Sequence, residues 1–231
     1  MLKNKITEYD IKADIPRSLT FAFVSDLHGC DNAPVMEAVG AVEPDAVLVG
    51  GDFIHNNAFY KEGIELLRLS AGRYPTFCVK GNHELRYQGD LSALVKETGA
   101  VLLDNCAVEF MGMHIGGLTS VAYAPDAVPD TDFLDGFSRG AGYKLLLCHH
   151  PEYFDKYIRE RDIHLTLSGH AHGGQWRFFG RGLFAPGQGV FPRYTSGMYH
   201  GRLIVGRGLG NPRPIPRINN PPEVVVIRLG R

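Results

Sequence analysis

The sequence predicts an α/β fold, a single domain over residues 1–231 that contains two β-sheets. Up to about residue 98, near-continuous apolar runs alternate with helical spacings, the pattern of parallel strands covered by helices. Past residue 100 the runs become short and closely spaced, which predicts antiparallel hairpins and a second sheet. A third observation joins the two halves: five of the apolar runs end in side chains of metal-ligand type.

The elements follow in order. Residues 1–16 alternate polar and apolar as a first strand, and SLTFAFVSD (18–26) is an apolar strand running into Leu27-His28-Gly29. Ala33–Val42 has helical character, with Pro34 suited to its first turn. DAVLVG (45–50) is a strand closing on Gly51-Asp52, and the spacing of Ile64, Leu66 and Leu67 predicts a helix over Phe59–Ser70. Pro75–Lys80 is a strand ending in Gly81-Asn82-His83-Glu84, after which Asp90 caps a helix that reaches Thr98. Val101–Leu103, Ala107–Met111 and Met113–Leu118 are the closely spaced strands assigned to the second sheet. Thr131–Phe137 is a short helix, Tyr143–Cys148 a strand running into His149-His150-Pro151, and Ile163–Leu167 a strand leading into SGHAHGGQ. Tyr194–Met198, Arg202–Val205 and Glu223–Leu229 complete the strands, separated by Gly/Pro-rich loops.

Composition narrows the class. With 231 residues, 44% of them hydrophobic and 21% charged, the chain can bury a core. No apolar run approaches the roughly 20 residues that span a bilayer. The first sixteen residues contain no signal-peptide h-region or cleavage site, so no export signal is expected. Cys30, Cys78, Cys106 and Cys148 form no CxxC pair and read as reduced, mostly buried thiols of a cytoplasmic protein. Net charge is −1, but residues 171–231 hold nine arginines against one acid, Glu223, a balance of +8. The arginine fork suits a phosphorylated substrate, while the favoured reading of any one arginine is a tie to loop carbonyls or a solvated surface. Slightly acidic overall, the chain is not expected to bind nucleic acid.

Taken together, the strand ends carry the chemistry. Asp26 and His28, Asp52, Asn82 and His83, His149, then His170 and His172 each follow an apolar run. In open α/β sheets ligands collect at the carboxyl ends of strands, so all five sets can face one cleft. Singly, an Asp at a strand end is a cap and a loop Asn satisfies local backbone. The ordered series D-x-H, G-D, G-N-H-E, H-x-P and G-H-x-H instead points to metals.

On SDLH, GNHE, HHPE, SGHAHGGQ and the late VGRGLG…PIPRINNPPEVVVI, the chain resembles the calcineurin-like metallophosphoesterase superfamily over essentially its whole length. Within that superfamily it is similar to the bacterial YkuE-like branch. The resemblance implies a four-layer α/β/β/α sandwich of two mixed sheets flanked by helices, with a two-metal site at one end. Carried over by motif, one metal takes Asp26, His28, Asp52 and His172, and the second takes Asp52, Asn82, His149 and His170, with Asp52 bridging. His83 faces the substrate as the catalytic acid, Glu84 is structural, and His150 lies outside the ligand set. The implied activity is hydrolysis of a phosphodiester or pyrophosphate by a hydroxide between two divalent ions. Nitrogen and oxygen ligands favour Mn, Fe or Zn, and Mn²⁺ is preferred. The substrate is then a phosphorylated small molecule or a lipid-linked one. The sequence leaves peripheral membrane contact and oligomeric state open. The competing readings are a non-catalytic metal-binding module on the same fold and a nuclease.

Two departures stand out. Many relatives continue the second block as GD-x-x-D, whereas this chain reads GDFIHN, placing His55 and Asn56 there. GGLTSVAY (116–123) also lacks an acidic pair often found in relatives. Finally, Trp176, Phe178, Phe179, Phe184, Phe191, Tyr194 and Tyr199 interleave with Arg177, Arg181 and Arg193. The favoured expectation is that these rings make a small core of their own under a long loop. Stacking a nucleobase or holding an acyl chain is the alternative.

Overall fold

A computed structural model describes residues 4–55, 60–121, 127–211 and 216–230. Asn56, Phe59, the end of GGLTSVAY, Arg213 and Arg231 lie outside the described residues. The first half runs β1 (Lys5–Lys12), β2 (Leu19–Val24), α1 (Asn32–Gly40), β3 (Ala46–Val49), α2 (Lys61–Ala71), β4 (Thr76–Cys78), α3 (Leu91–Lys96) and β5 (Val101–Leu102). There follow β6 (Cys106–Phe110), β7 (Met113–Leu118), α4 (Thr131–Arg139), β8 (Lys144–Cys148) and β9 (Leu165–Ser168). The remainder holds four two-residue strands, β10 (Arg177–Phe178), β11 (Arg181–Gly182), β12 (Phe184–Ala185) and β13 (Gly189–Val190). It ends with β14 (Gly197–Tyr199), β15 (Leu203–Val205) and β16 (Glu223–Gly230).

Two six-stranded sheets result, ordered β1-β16-β2-β3-β4-β5 and β14-β15-β9-β8-β7-β6. Both are mixed: β16 is antiparallel to β2 in the first, and β6 and β14 are antiparallel to their neighbours in the second. Strand alternation sets the layers. Phe21 and Phe23 of β2 meet Leu145 and Leu147 of β8 in a core between the sheets. The intervening Ala22 and Val24 pack outward with Val35, Val39, Ile64 and Val95 of α1, α2 and α3. On the far side Leu146 and Cys148 pack with Leu134 and Phe137 of α4 and with Phe154 and Ile158. The outcome is the α/β/β/α sandwich.

One strand lies elsewhere than expected. Val101–Leu102 does not join the hairpins but pairs parallel with β4 in the first sheet, Phe77 opposite Val101. Helix α3 provides the crossover, and two residues are too few for a periodicity to reveal their sheet. Asp31, Asp90 and Asp130 cap α1, α3 and α4 by accepting from Ala33, Ala93 and Phe133 amides. Among the described residues no helix is long and apolar enough to cross a membrane.

Candidate metal centre

Strands β2, β3 and β4 are mutually parallel, as are β8 and β9. Their carboxyl ends bring all the strand-end residues to one edge of the sandwich. Hydrogen bonds join the two sheets there. His149 Nδ1 donates to Gly50 O at 2.7 Å, and the His170 amide donates to Asp26 Oδ1 at 3.1 Å. Because a carbonyl can only accept, His149 Nδ1 carries a proton, and Nε2 turns inward towards Asp52.

Among the described residues four groups of ligand atoms emerge, each within 4.8 Å: Asp26, His28 and His172; Asp52, His149 and His170; and, flanking these, His28, His55 and His83, and His150, Glu152 and His170. Asp52 lies between the first two, its Oδ2 3.7 Å from His28 Nε2 and 3.2 Å from His149 Nε2. Asp26 Oδ1 is 3.5 Å from His172 Nε2. Three buried atoms of the donor set, His28 Nε2, Asn82 Oδ1 and His149 Nε2, have no hydrogen-bond partner among the described residues. Buried polar atoms are normally satisfied, so three orphans in one place fit a cation. The donor set is nitrogen and oxygen without thiolate, which suits a borderline divalent ion.

Electrostatics agree. Burial, with neighbouring histidines adding to it, pushes the His28 pKa down to about 3. Burial, then the Arg217 charge, does the same to His172, also to about 3, and burial drives His170 well down. These rings are neutral at pH 7, the state in which imidazole binds metal. Burial opposes charge on Asp52, but His149, His28 and His83 outweigh it and hold the carboxyl well below its usual range. Burial lowers the His149 pKa, but Asp52 and Asp26 outweigh it and raise it to about 10, so this ring would bind a cation only by giving up its Nε2 proton.

The backbone is unusual. Asp26, His28, Asp52, His170 and His172 all adopt positive φ, between 46° and 64°. Such residues are uncommon and cost on the order of 1–3 kcal/mol each, persisting only where surroundings over-determine them. Here they are over-determined. Asp26 N donates to Gly51 O and Leu27 N to Asp52 O, while the buried Glu84 carboxylate accepts from the Asp52, Ile54 and Gly81 amides at 2.7–2.9 Å. Burial, with Asp52 beside it, raises the Glu84 carboxyl to about 8. Gly81 permits this close approach, since a Cβ there would lie 2.2 Å from Asp52 Oδ1.

His83 stands at the rim, its Nε2 3.9 Å from Asp52 Oδ2. Its Nδ1 donates to the His55 backbone carbonyl at 2.6 Å, so the missing carboxylate of GD-x-x-D is replaced by main chain. The His55 ring meets His28 instead, Nδ1 to Nδ1 at 3.2 Å. Two neighbours were not singled out from the sequence as part of the centre. Glu152 Oε1 lies 3.0 Å from His150 Nδ1 and 3.9 Å from His170 Nε2, and Arg217 Nη2 lies 3.5 Å from His172 Nδ1. Both fall inside quoted motifs, HHPE and PIPRINN, and that position was their only signal. Arg177, Arg202 and Arg217 donate to backbone carbonyls, holding the loops as the bland reading of these arginines expects.

Comparison with known proteins agrees with this geometry. A family profile described as calcineurin-like phosphoesterase matches residues 19–174. The Bacillus subtilis (strain 168) uncharacterized metallophosphoesterase YkuE is 29% identical over 215 residues, covering 86% of this chain and 72% of its own. The Escherichia coli (strain K12) phosphodiesterase YaeI is 26% identical over 230 residues, covering 90% and 80%. A crystal structure of phosphopantetheinyl hydrolase (PptH) from Mycobacterium tuberculosis superposes with a TM-score of 0.52 at 16% identity, covering 84% and 90%, a likeness of fold.

Proposed function

Since the chain belongs to the calcineurin-like phosphoesterase family and is a metal-dependent phosphoester hydrolase, we propose that it cleaves a phosphodiester or pyrophosphate at a two-metal centre. The observation that carries this reading is Asp52, whose one carboxylate sits between two groups of nitrogen and oxygen donors. One cation would be held by Asp26, His28, Asp52 and His172, the other by Asp52, Asn82, His149 and His170. A bound pair of divalent ions, Mn²⁺ preferred, supplies Lewis acidity towards the phosphoryl oxygens and makes water acidic enough to react near neutral pH. With Nδ1–H held by the His55 carbonyl, His83 would act from Nε2 as the imidazolium, passing its Nε2–H to the departing alkoxide and ending as the neutral Nδ1–H ring. A substrate that is a phosphorylated small molecule or lipid-linked fits this chemistry. Four free cysteines favour a reducing compartment, the cytoplasm.

The test is hydrolysis of bis-p-nitrophenyl phosphate by purified protein, stripped with chelator and then restored with Mn²⁺. Activity that vanishes and returns is expected; none in the metal-loaded protein would end the proposal. A second expectation concerns His55. With Nδ1–H of His28 given to the His55 ring, His28 Nε2 is free to bind. His55→Ala is expected to weaken metal binding by about 10–100-fold, as loss of such an outer partner does. Because the carbonyl to His83 is main chain, activity at saturating metal should fall much less. Calorimetric metal titration beside saturating-metal kinetics checks both halves.

A further inference from the structure

The loop that follows His172 does not make the small core expected of it. Tyr194 is buried and packs with Phe154, but Trp176, Phe178, Phe179, Phe184, Val190 and Phe191 are exposed. These are six of the fourteen exposed large hydrophobics among the described residues, within sixteen consecutive positions. They lie on two neighbouring hairpins. Phe178 pairs with Arg181 across one hairpin and Phe184 with Val190 across the next. Leu183 N donates to Trp176 O and Phe191 N to Leu183 O, both at 2.9 Å, which sets the hairpins side by side.

Two of these side chains work against folding. Phe179 and Phe191 adopt φ of 51° and 54°, where a bulky residue is an outlier. Phe179-Gly180 forms the apex of a two-residue hairpin, a place that Asn-Gly fills without strain. Phe179 is fully exposed and Phe191 is 79% exposed, so neither recovers that cost by burial. Strained apolar side chains held in water point to a surface outside the folded chain.

Position and charge say which surface. A Cβ on Gly187, between β12 and β13, would lie 2.2 Å from Glu152 Oε1 and 3.5 Å from His170 Nε2, so the hairpins overhang the metal centre. Arg181 is exposed beside the apex and takes part in no salt bridge among the described residues, and residues 171–231 carry a balance of +8. Aromatic tips backed by arginine match an anionic lipid surface. Two copies meeting through this patch would instead bring their guanidinium groups together.

We propose that the hairpins of residues 176–191 dock the protein on an anionic lipid bilayer, with Phe179 and Phe191 entering the interface and the metal centre held at the headgroups. Docking stands apart from the chemistry proposed above; a membrane-resident phosphodiester as substrate rests on both.

Trp176 is the chain's sole tryptophan and lies in the patch, so it reports directly and without turnover. Vesicles of phosphatidylcholine alone and of an equimolar mixture with phosphatidylglycerol are titrated into the protein. Expected are a blue shift of Trp176 emission and co-sedimentation with the anionic vesicles, weakened by salt. Phe179→Asn/Phe191→Asn is expected to lower vesicle partitioning by about tenfold or more, given what burying an aromatic ring contributes. The same variant should melt no lower than wild type and hydrolyse bis-p-nitrophenyl phosphate at the wild-type rate. Absence of wild-type binding to either vesicle, or undiminished binding by the double variant or by Phe179→Asn alone, overturns the proposal. So does concentration-dependent dimerisation that the double variant abolishes while vesicles leave Trp176 unmoved.

Discussion

Asp52→Asn is expected to leave the fold intact and to lower kcat/KM by at least about 10³-fold, the several kcal/mol that metal-ion stabilisation of the transition state supplies. Asparagine has the same shape and tolerates the positive φ of 51° found at this position, so backbone strain does not rise. The amide oxygen can still accept the His83 N–H that Asp52 Oδ1 takes at 2.9 Å. Only the charge is lost. That charge faces His28 of one donor group and His149 of the other. Metal content by mass spectrometry should fall with activity while the melting temperature holds. A fully active variant would mean that this carboxylate bridges nothing.

The second large effect is expected at His83. His83→Ala should lower turnover by about 10²–10⁴-fold, the range for a positioned general acid, with metal content unchanged. His83 belongs to neither group that contains a carboxylate of Asp26 or Asp52, and the one group it does join, with His28 and His55, has no anionic ligand, which is why metal should persist. The informative readout is the leaving group. A p-nitrophenolate needs little protonation as it departs, whereas an alkoxide needs much, so the deficit should grow from aryl to alkyl diesters. An equal deficit for both would assign His83 to substrate positioning rather than proton donation.

Residue chemistry made much of this site visible in advance. Aspartate, asparagine and histidine at the ends of apolar runs are costly choices for bare structure, and their order along the chain fits a single cleft. The backbone that aims them was not visible. Five positive φ values arise because each strand must stop abruptly beside another sheet, and no local pattern encodes that in Asp or His. The partner of His83 was equally hidden. GDFIHN shows that a carboxylate is missing, but a main-chain carbonyl in its place depends on the path of the loop. The aromatic loop departs from its expected small core for a related reason: Tyr194 and Tyr199 pack inward and the other five rings face water, and composition counts rings without saying which way they turn.

The strand–helix alternation, the apolar runs and the donor residues that terminate them were determined by the sequence alone, because each is a matter of side-chain type and local spacing. Tertiary structure decided which sheet Val101–Leu102 joins, that β16 slots between β1 and β2, and that Phe179 and Phe191 stand in solvent. Those outcomes come from contacts between segments far apart in the chain, where packing of one sheet on another, not the preference of any residue, sets the geometry.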